Sequence, residues 1–324
     1  MSQDTLVNVE HLTRRYGALV AVSGISFRLL RGEVLGFLGP NGAGKSTTMQ
    51  VITGNLAPSE GRVTINGIDL LDDPREAKRE IGFLPEQPPL YLDFTVDEYL
   101  TFCARLNRIA RGHVTTAVER AKARCGLGGM GRRLIGNLSK GYRQRVGIAQ
   151  AIIHSPAVVV LDEPTVGLDP IQILEIRALI RELGSDHGVI LSTHILPEVQ
   201  MTCNQVQIIN RGRLVFDAAM EDIVHKLAPS SLVLGARRLP GDTELLSLPG
   251  VESVERLGDD RVRIGHAPGA SPAETLAETA VREGWGLFEL APERKTLEQI
   301  FVEVTAAEEA GGEEDAAAPA EEAA

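Results

Sequence analysis

The sequence predicts an α/β fold built on a parallel sheet, carrying an antiparallel β layer and a helical subdomain and followed by a smaller α+β unit. Three observations predict it. Continuous apolar runs at Val34 to Leu38, Ala157 to Leu161 and Val189 to Leu191 each end in Gly, Asp or Ser/Thr/His, the pattern of strands buried on both faces. Residues 5 to 30 and 62 to 70 instead alternate apolar and polar positions (Val7, Val9; Phe27, Leu29; Val63, Ile65), as antiparallel strands do. Residues 95 to 125 show helical spacing (Val96, Leu100, Cys103, Ala104, Leu106) after a break at Pro85, Pro88 and Pro89, which marks a helical insertion in the α/β core.

After Pro229 the pattern restarts as strand 231–236, helix 242–247, strands 251–257 and 261–265, helix 273–283, strand 287–291 and helix 296–304. That order resembles a ferredoxin-like β-α-β-β-α-β unit. Trp285 and Phe288 read as its core. Residues 306–324 have no strand formers or aromatics to offset ordering entropy and read as a disordered tail. The expected boundaries are 1–227, with the insertion at about 88–155, then 228–305 and 306–324.

With 324 residues, 43% hydrophobic and 24% charged, the chain can bury one large core and a small second one. No apolar run approaches the roughly 18 residues of a membrane span, so any membrane role is expected to come through a partner. Cys103, Cys125 and Cys203 stand far apart in no metal or redox spacing and read as small packing residues in a reducing compartment. The net charge is −11, and the seven acids of residues 306–324 leave −4 on the rest. A nucleic-acid partner is not expected, because gripping phosphate backbones takes a basic excess.

Gly39, Pro40, Asn41, Gly42, Ala43, Gly44, Lys45, Ser46 and Thr47 match the phosphate-loop pattern G-x-x-x-x-G-K-[ST], between a strand-like and a helix-compatible segment. Glycines let backbone N–H groups converge on phosphates, Lys45 adds charge, Ser46 can ligate Mg2+, and a helix N-terminus favours the anion. The core is therefore of the phosphate-loop NTPase type. The second strand end delivers Asp162 and Glu163. Alone the pair would read as an acidic turn, but beside a phosphate loop Asp162 is placed to hold Mg2+ through water and Glu163 to act as general base. The third ends at His194, which is placed to contact a γ-phosphate and orient the attacking water.

These motifs, in this order over residues 5 to about 225, resemble the ATPase subunits of ABC transporters. Leu138, Ser139, Lys140, Gly141, Tyr142, Arg143, Gln144 and Arg145 look like the family's signature, although Lys140 and Tyr142 depart from its commonest form, L-S-G-G-Q. The resemblance implies that Ser139 and Gly141 reach the γ-phosphate held by a second copy, so that two chains enclose two ATP molecules. It also implies adenine stacking on Tyr16, a Mg2+ or water ligand at Gln87, and an interface role for Asp169. In isolation these residues would read as a helix cap (Ser139, Asp169), an edge-strand tyrosine and a loop glutamine. The Lys-Gly-Tyr variant and the appended unit resemble bacterial exporter ATPases that pair with six-helix, ABC-2 type permeases. That implies a peripheral place on the cytoplasmic side of the membrane, with ATP and Mg2+ as cofactors and a permease as partner. A non-transport ABC ATPase acting on ribosomes or DNA is the competing reading. Such relatives usually carry two ATPase domains or long coiled coils, whereas here there is one phosphate loop and no sustained heptad pattern. Sugar importers, a third reading, usually append barrel-like domains.

Overall fold

Two long strands, β1 (Thr5–Tyr16) and β2 (Leu19–Leu30), open the chain and pair antiparallel, with Val9 opposite Phe27. The tight turn between them uses Gly17, whose φ of 59° is in the left-handed region. The computed structural model describes residues 5–226, 231–267, 270, 272–293, 299 and 301, which form one unit running to Met220 and another beginning at Glu221. The tail expected at 306–324 and most of the helix expected at 296–304 lie outside the described residues.

In the first unit, β3 (Val34–Leu38) leads into α1 (Lys45–Ile52), then β4 (Glu60–Ile65), β5 (Ile68–Asp69), α2 (Pro74–Arg79) and β6 (Ile81–Leu84). Helices α3 (Val96–Leu106), α4 (Val114–Arg124) and α5 (Lys140–Ile152) follow. The alternation then runs β7 (Val158–Asp162), α6 (Pro170–Gly184), β8 (Gly188–Thr193), α7 (Leu196–Thr202), β9 (Gln205–Asn210) and β10 (Arg213–Ala219). One sheet is antiparallel in the order β2-β1-β4-β5, and the other runs β10-β9-β3-β8-β7-β6 with only β10 antiparallel.

The three apolar runs read from the sequence are the central strands, buried at every residue. Each fully buried Val, Leu or Ile contributes about 1.5–3 kcal/mol. A single cluster joins them to the antiparallel layer, with Leu6, Val9 and Leu29 meeting Phe37, Val160 and Ile190. Strands β6 and β9 escaped the sequence reading. The first is only four residues long, and in the second Gln205, Gln207 and Asn210 interrupt the apolar run. Gln207 is nonetheless buried, its amide donating to Asp217 on β10 at 3.1 Å.

The helical stretch expected over 95–125 is two helices. Asn107 caps α3 and Arg108 turns left-handed at φ 60° before α4 begins. A reciprocal capping box starts α3: Glu98 N–H donates to Thr95 Oγ1 at 3.3 Å, and Thr95 N–H to Glu98 Oε2 at 2.8 Å. Lys122 on α4 reaches Asp97 at 2.6 Å and ties the two helices together. Helix α5 lies against β6, with Gln150 Nε2 donating to Phe83 O at 2.7 Å. The three cysteines are free and buried, and burial pushes the thiols up, to about 11 for Cys103 and about 12 for Cys125.

The second unit begins within α8 (Met220–Lys226) and continues through β11 (Ser231–Ala236), α9 (Asp242–Leu246), β12 (Ser253–Arg256), β13 (Arg261–Gly265), α10 (Ala273–Arg282) and β14 (Leu287–Glu293). Its antiparallel sheet is ordered β12-β13-β11-β14. The core contains Leu232, Leu234, Val262, Ile264, Leu276 and Trp285. Phe288, expected in that core, is instead 47% exposed beneath the Arg261 guanidinium, 5.6 Å from its ring centre.

The contact between β6 and α5 leaves no room at Gly82, where an added Cβ would lie 2.1 Å from the Ala151 carbonyl oxygen. Gly82→Ala should therefore lower the unfolding free energy by about 1–3 kcal/mol. Denaturant titration would read this as an earlier midpoint at unchanged slope, and an unmoved midpoint would contradict the contact.

Candidate functional site

Parallel register sets the site. Leu38 pairs with Thr193, Asp162 with Ser192, and Leu84 with Leu161, so β3, β8, β7 and β6 end side by side. The residues that follow these ends come together beyond the sheet's carboxyl edge, where ligands of open α/β sheets bind.

After β3 the chain loops from Gly39 to Gly44 into α1. Gly42 and Gly44 have φ of 81° and 109°, and a Cβ on Gly44 would lie 2.6 Å from Ala21 O. Gly39 is equally confined, since its Cβ would meet Ile209 O at 2.4 Å, and Gly212 N–H donates to Ala43 O at 2.9 Å. Lys45 is buried, and its ammonium donates back to the carbonyls of Gly39 at 2.8 Å and Pro40 at 3.2 Å. Burial pushes that ammonium below the ordinary lysine range, while the charges of Glu163, Asp162 and Glu86 oppose the shift.

At the end of β7, Asp162 is buried with Oδ1 lacking a hydrogen-bond partner. Burial pushes its carboxyl above the usual range, opposed by the neighbouring hydroxyls of Ser192 and Ser46. Glu163 adopts a left-handed backbone at φ 48°, a conformation that costs a non-glycine residue about 1–2 kcal/mol. It is held there by its N–H, which donates to Ser192 O at 2.9 Å. His194 Nδ1–H donates to Glu163 Oε1 at 2.8 Å, in the tautomer a carboxylate partner selects, and Glu163 Oε2 has no partner.

A cavity of about 290 Å³ joins these ends. It is lined by Asn41, Gly42, Gly44, Lys45, Ser46 and Thr47 of the loop and helix start together with Glu86, Glu163, Val166 and His194. A pocket with backbone N–H groups, an ammonium and a helix N-terminus facing carboxylates is built for a phosphate anion attacked by water.

Not every expected residue reaches it. Gln87 is exposed and outside the lining, and its neighbour Glu86 takes the position at the wall. Gln87, expected as a Mg2+ or water ligand, therefore does not line the cavity within one chain, whereas Glu86 does. Tyr16 is 44% exposed, with the Arg14 guanidinium 4.8 Å from its ring centre, and is not part of the cavity wall. Ser139 caps α5, accepting from Tyr142 N–H at 3.4 Å, and Gly141 is buried against the Gln172 side chain. Asp169 caps α6, accepting from Gln172 N–H at 2.9 Å. None of these three lines the cavity within one chain.

Comparison with known proteins places this arrangement among relatives. The ABC transporter family model matches residues 22–166. The chain is 36% identical over 213 residues to the bacitracin transport ATP-binding protein BcrA of Bacillus licheniformis, covering 65% of this chain and 69% of that protein. It is 31% identical over 316 residues to the ABC transporter ATP-binding protein YdbJ of Bacillus subtilis, covering 96% and 99%. A solved ATP-binding subunit of an ABC transporter superposes with a TM-score of 0.62 at 31% identity, covering 68% of this chain and 92% of that one.

Two outcomes follow from the geometry. Gly44→Ala should abolish binding of a fluorescent ATP analogue while leaving the far-ultraviolet dichroism unchanged, and wild-type affinity would contradict the confinement of that turn. Glu86→Ala should slow ATP hydrolysis by about tenfold or more, with Gln87→Ala within about twofold of wild type. The reverse order would return the role to Gln87.

Proposed function

The chain belongs to the ATP-binding subunits of ABC transporters, and from that premise we propose that it works as the ATPase of an exporter, with Glu163 activating the attacking water. The observation that carries the mechanism is the divided role of the Glu163 carboxylate: His194 occupies Oε1 and Oε2 is left without a partner. On this reading Oε2 accepts the proton as water oxygen bonds to the γ-phosphorus and the bond to the ADP oxygen breaks. His194 keeps the carboxylate oriented and, being half-exposed, can also meet the γ-phosphate. The loop amides of Gly42 to Thr47 and the Lys45 ammonium take the phosphates. Charge-assisted hydrogen bonds of about 1.5–3 kcal/mol each outweigh the α1 dipole, worth about 0.3–1 kcal/mol. For this task Lys45 must exchange the Gly39 and Pro40 carbonyls for phosphate oxygens.

Mg2+ suits the donors present, since Asp162 offers a buried, unpartnered oxygen beside Ser46, and Ser46 and Glu86 both line the cavity. When bound it would neutralise phosphate charge.

A second copy completes the site in this proposal. Ser139, Lys140 and Asp169 are exposed and lie outside the chain's own cavity, which supports their use across an interface. Tyr16, also exposed, remains the proposed adenine platform on the ring face that Arg14 leaves open. The permease is proposed to dock on residues 88–106. There Tyr91, Leu92, Phe94 and Phe102 expose an apolar patch, with Tyr91 5.3 Å from Phe94 and 5.7 Å from Phe102 between ring centres. The patch begins five residues after Glu86, so a push on it reaches the cavity wall through a short segment. A six-helix ABC-2 partner, the boundaries 1–227 and 228–305, and a ferredoxin-like second unit belong to the same proposal. The last is supported by the β-α-β-β-α-β order and the sheet order β12-β13-β11-β14.

Glu163→Gln should reduce kcat by about 10²–10⁴-fold while retaining ATP binding and accumulating a dimer on size-exclusion chromatography with ATP and Mg2+. Used as bait on detergent-solubilised membranes, this variant should recover an integral membrane protein of about six spans. Recovery of ribosomes or DNA-associated proteins alone would overturn the exporter reading, and hydrolysis at the wild-type rate would overturn the base.

A further inference from the structure

Glu198 lies on the third residue of α7 and is 1% exposed, a buried carboxylate that the mechanism above leaves without a task. Burying an ionised group is expensive unless its oxygens are satisfied. Here both are satisfied by hydroxyls from two different strand ends. Thr165 Oγ1 donates to Oε1, and Thr193 Oγ1 donates to Oε2 at 2.9 Å. Thr165 follows Glu163 by two residues, and Thr193 immediately precedes His194.

A helix-capping role does not account for this arrangement. A glutamate at the third helical position of a capping box would accept the N–H of the cap residue, Ile195. That N–H donates instead to Thr193 Oγ1 at 3.1 Å, and α7 has no side-chain cap. The Thr193 hydroxyl therefore gives its proton to Glu198 and receives the N–H two residues on. It fixes the backbone on both sides of His194 in one small turn.

We propose that Glu198 is a positioning residue for ATP hydrolysis, clamping the strand end that carries Glu163 to the one that carries His194. It works beside the bond from Glu163 N–H to Ser192 O, which pins the same two segments one step closer to the sheet. With both pins in place the two side chains meet at 2.8 Å, although Glu163 stands in a left-handed backbone that would otherwise relax. Without the outer pin, Thr165 and Thr193 separate and the Glu163 carboxylate turns away from the water it must polarise. Misplacement of about 1 Å at a reacting group costs on the order of 10²-fold in rate. The clamp touches neither the phosphate loop nor Lys45, so it leaves nucleotide binding alone.

The inference rests on the role proposed for Glu163, and the test separates the two. In the full chain, Glu198→Gln should lower kcat for ATP by about tenfold or more with KM within about twofold, the signature of a loss confined to the chemical step. Thr165→Val, which removes one hydroxyl at nearly constant volume, should move kcat the same way, and Thr165→Ser should restore it to within about twofold of wild type. This pair keeps the test decisive should Glu198→Gln fold poorly. Glu163→Gln is measured alongside. If it is slow while Glu198→Gln and Thr165→Val run at full speed, the clamp is overturned and the base stands. If Glu163→Gln itself runs at the wild-type rate, the underlying reading falls. A Thr165→Ser variant as slow as Thr165→Val, or parallel changes in kcat, KM and melting temperature, would assign Glu198 to general stability and overturn the proposal.

Discussion

Parallel pairing of β3, β8, β7 and β6 is the constraint on which the rest of the molecule depends. Evenly spaced ladder bonds hold Leu38 beside Thr193, Asp162 beside Ser192 and Leu84 beside Leu161. Those pairings alone decide that a lysine at 45, a carboxylate at 163, a histidine at 194 and a carboxylate at 86 share one cavity. A sheet buried at every residue of its central strands cannot slip register without exposing apolar side chains, so the alignment is as secure as the core itself.

That security allows the site to hold groups that oppose folding. Lys45, Asp162 and Glu163 are all buried, Asp162 and Glu163 each keep one oxygen without a partner, and Glu163 adds backbone strain. Each such feature costs on the order of 1–3 kcal/mol, against a net stability of about 5–15 kcal/mol for a folded domain. They persist because their neighbours over-determine them. The attraction between Lys45 and three carboxylates opposes its loss of hydration, and Glu163 is fixed by both its amide and its side chain.

The same logic separates the cavity from its surroundings. Within one chain the phosphate loop, Glu163 and His194 are assembled, while Ser139 and Asp169 serve as helix caps, a task that leaves them exposed at helix N-termini. Capping and ligand contact use the same geometry, an oxygen and free N–H groups at a helix start. The local reading of these residues as caps and the interface reading therefore do not compete. The aromatic patch at Tyr91, Phe94 and Phe102 is held by its own ring contacts and by the capped start of α3, a firm surface close in sequence to Glu86.

The sequence by itself determined the central strands, the phosphate loop and which residues stand at the three strand ends, because buried parallel strands and anion-binding loops have local signatures. Apolar runs report burial, and glycines followed by Lys-Ser report a turn that approaches phosphate. Other features were decided only in three dimensions. Strand β9 is buried yet contains glutamines and an asparagine, and it is legible only once Asp217 is seen to accept from the Gln207 amide nitrogen. Glu86, rather than Gln87, reaches the cavity because the chain's course after Leu84 selects it. Phe288 stays outside its core, since alternation along a short strand does not fix which face will be covered. The bridge from Glu198 to Thr165 and Thr193 spans 33 residues on one side and 5 on the other. No local pattern records such a contact, because it exists only when two strand ends and the helix after them are folded together.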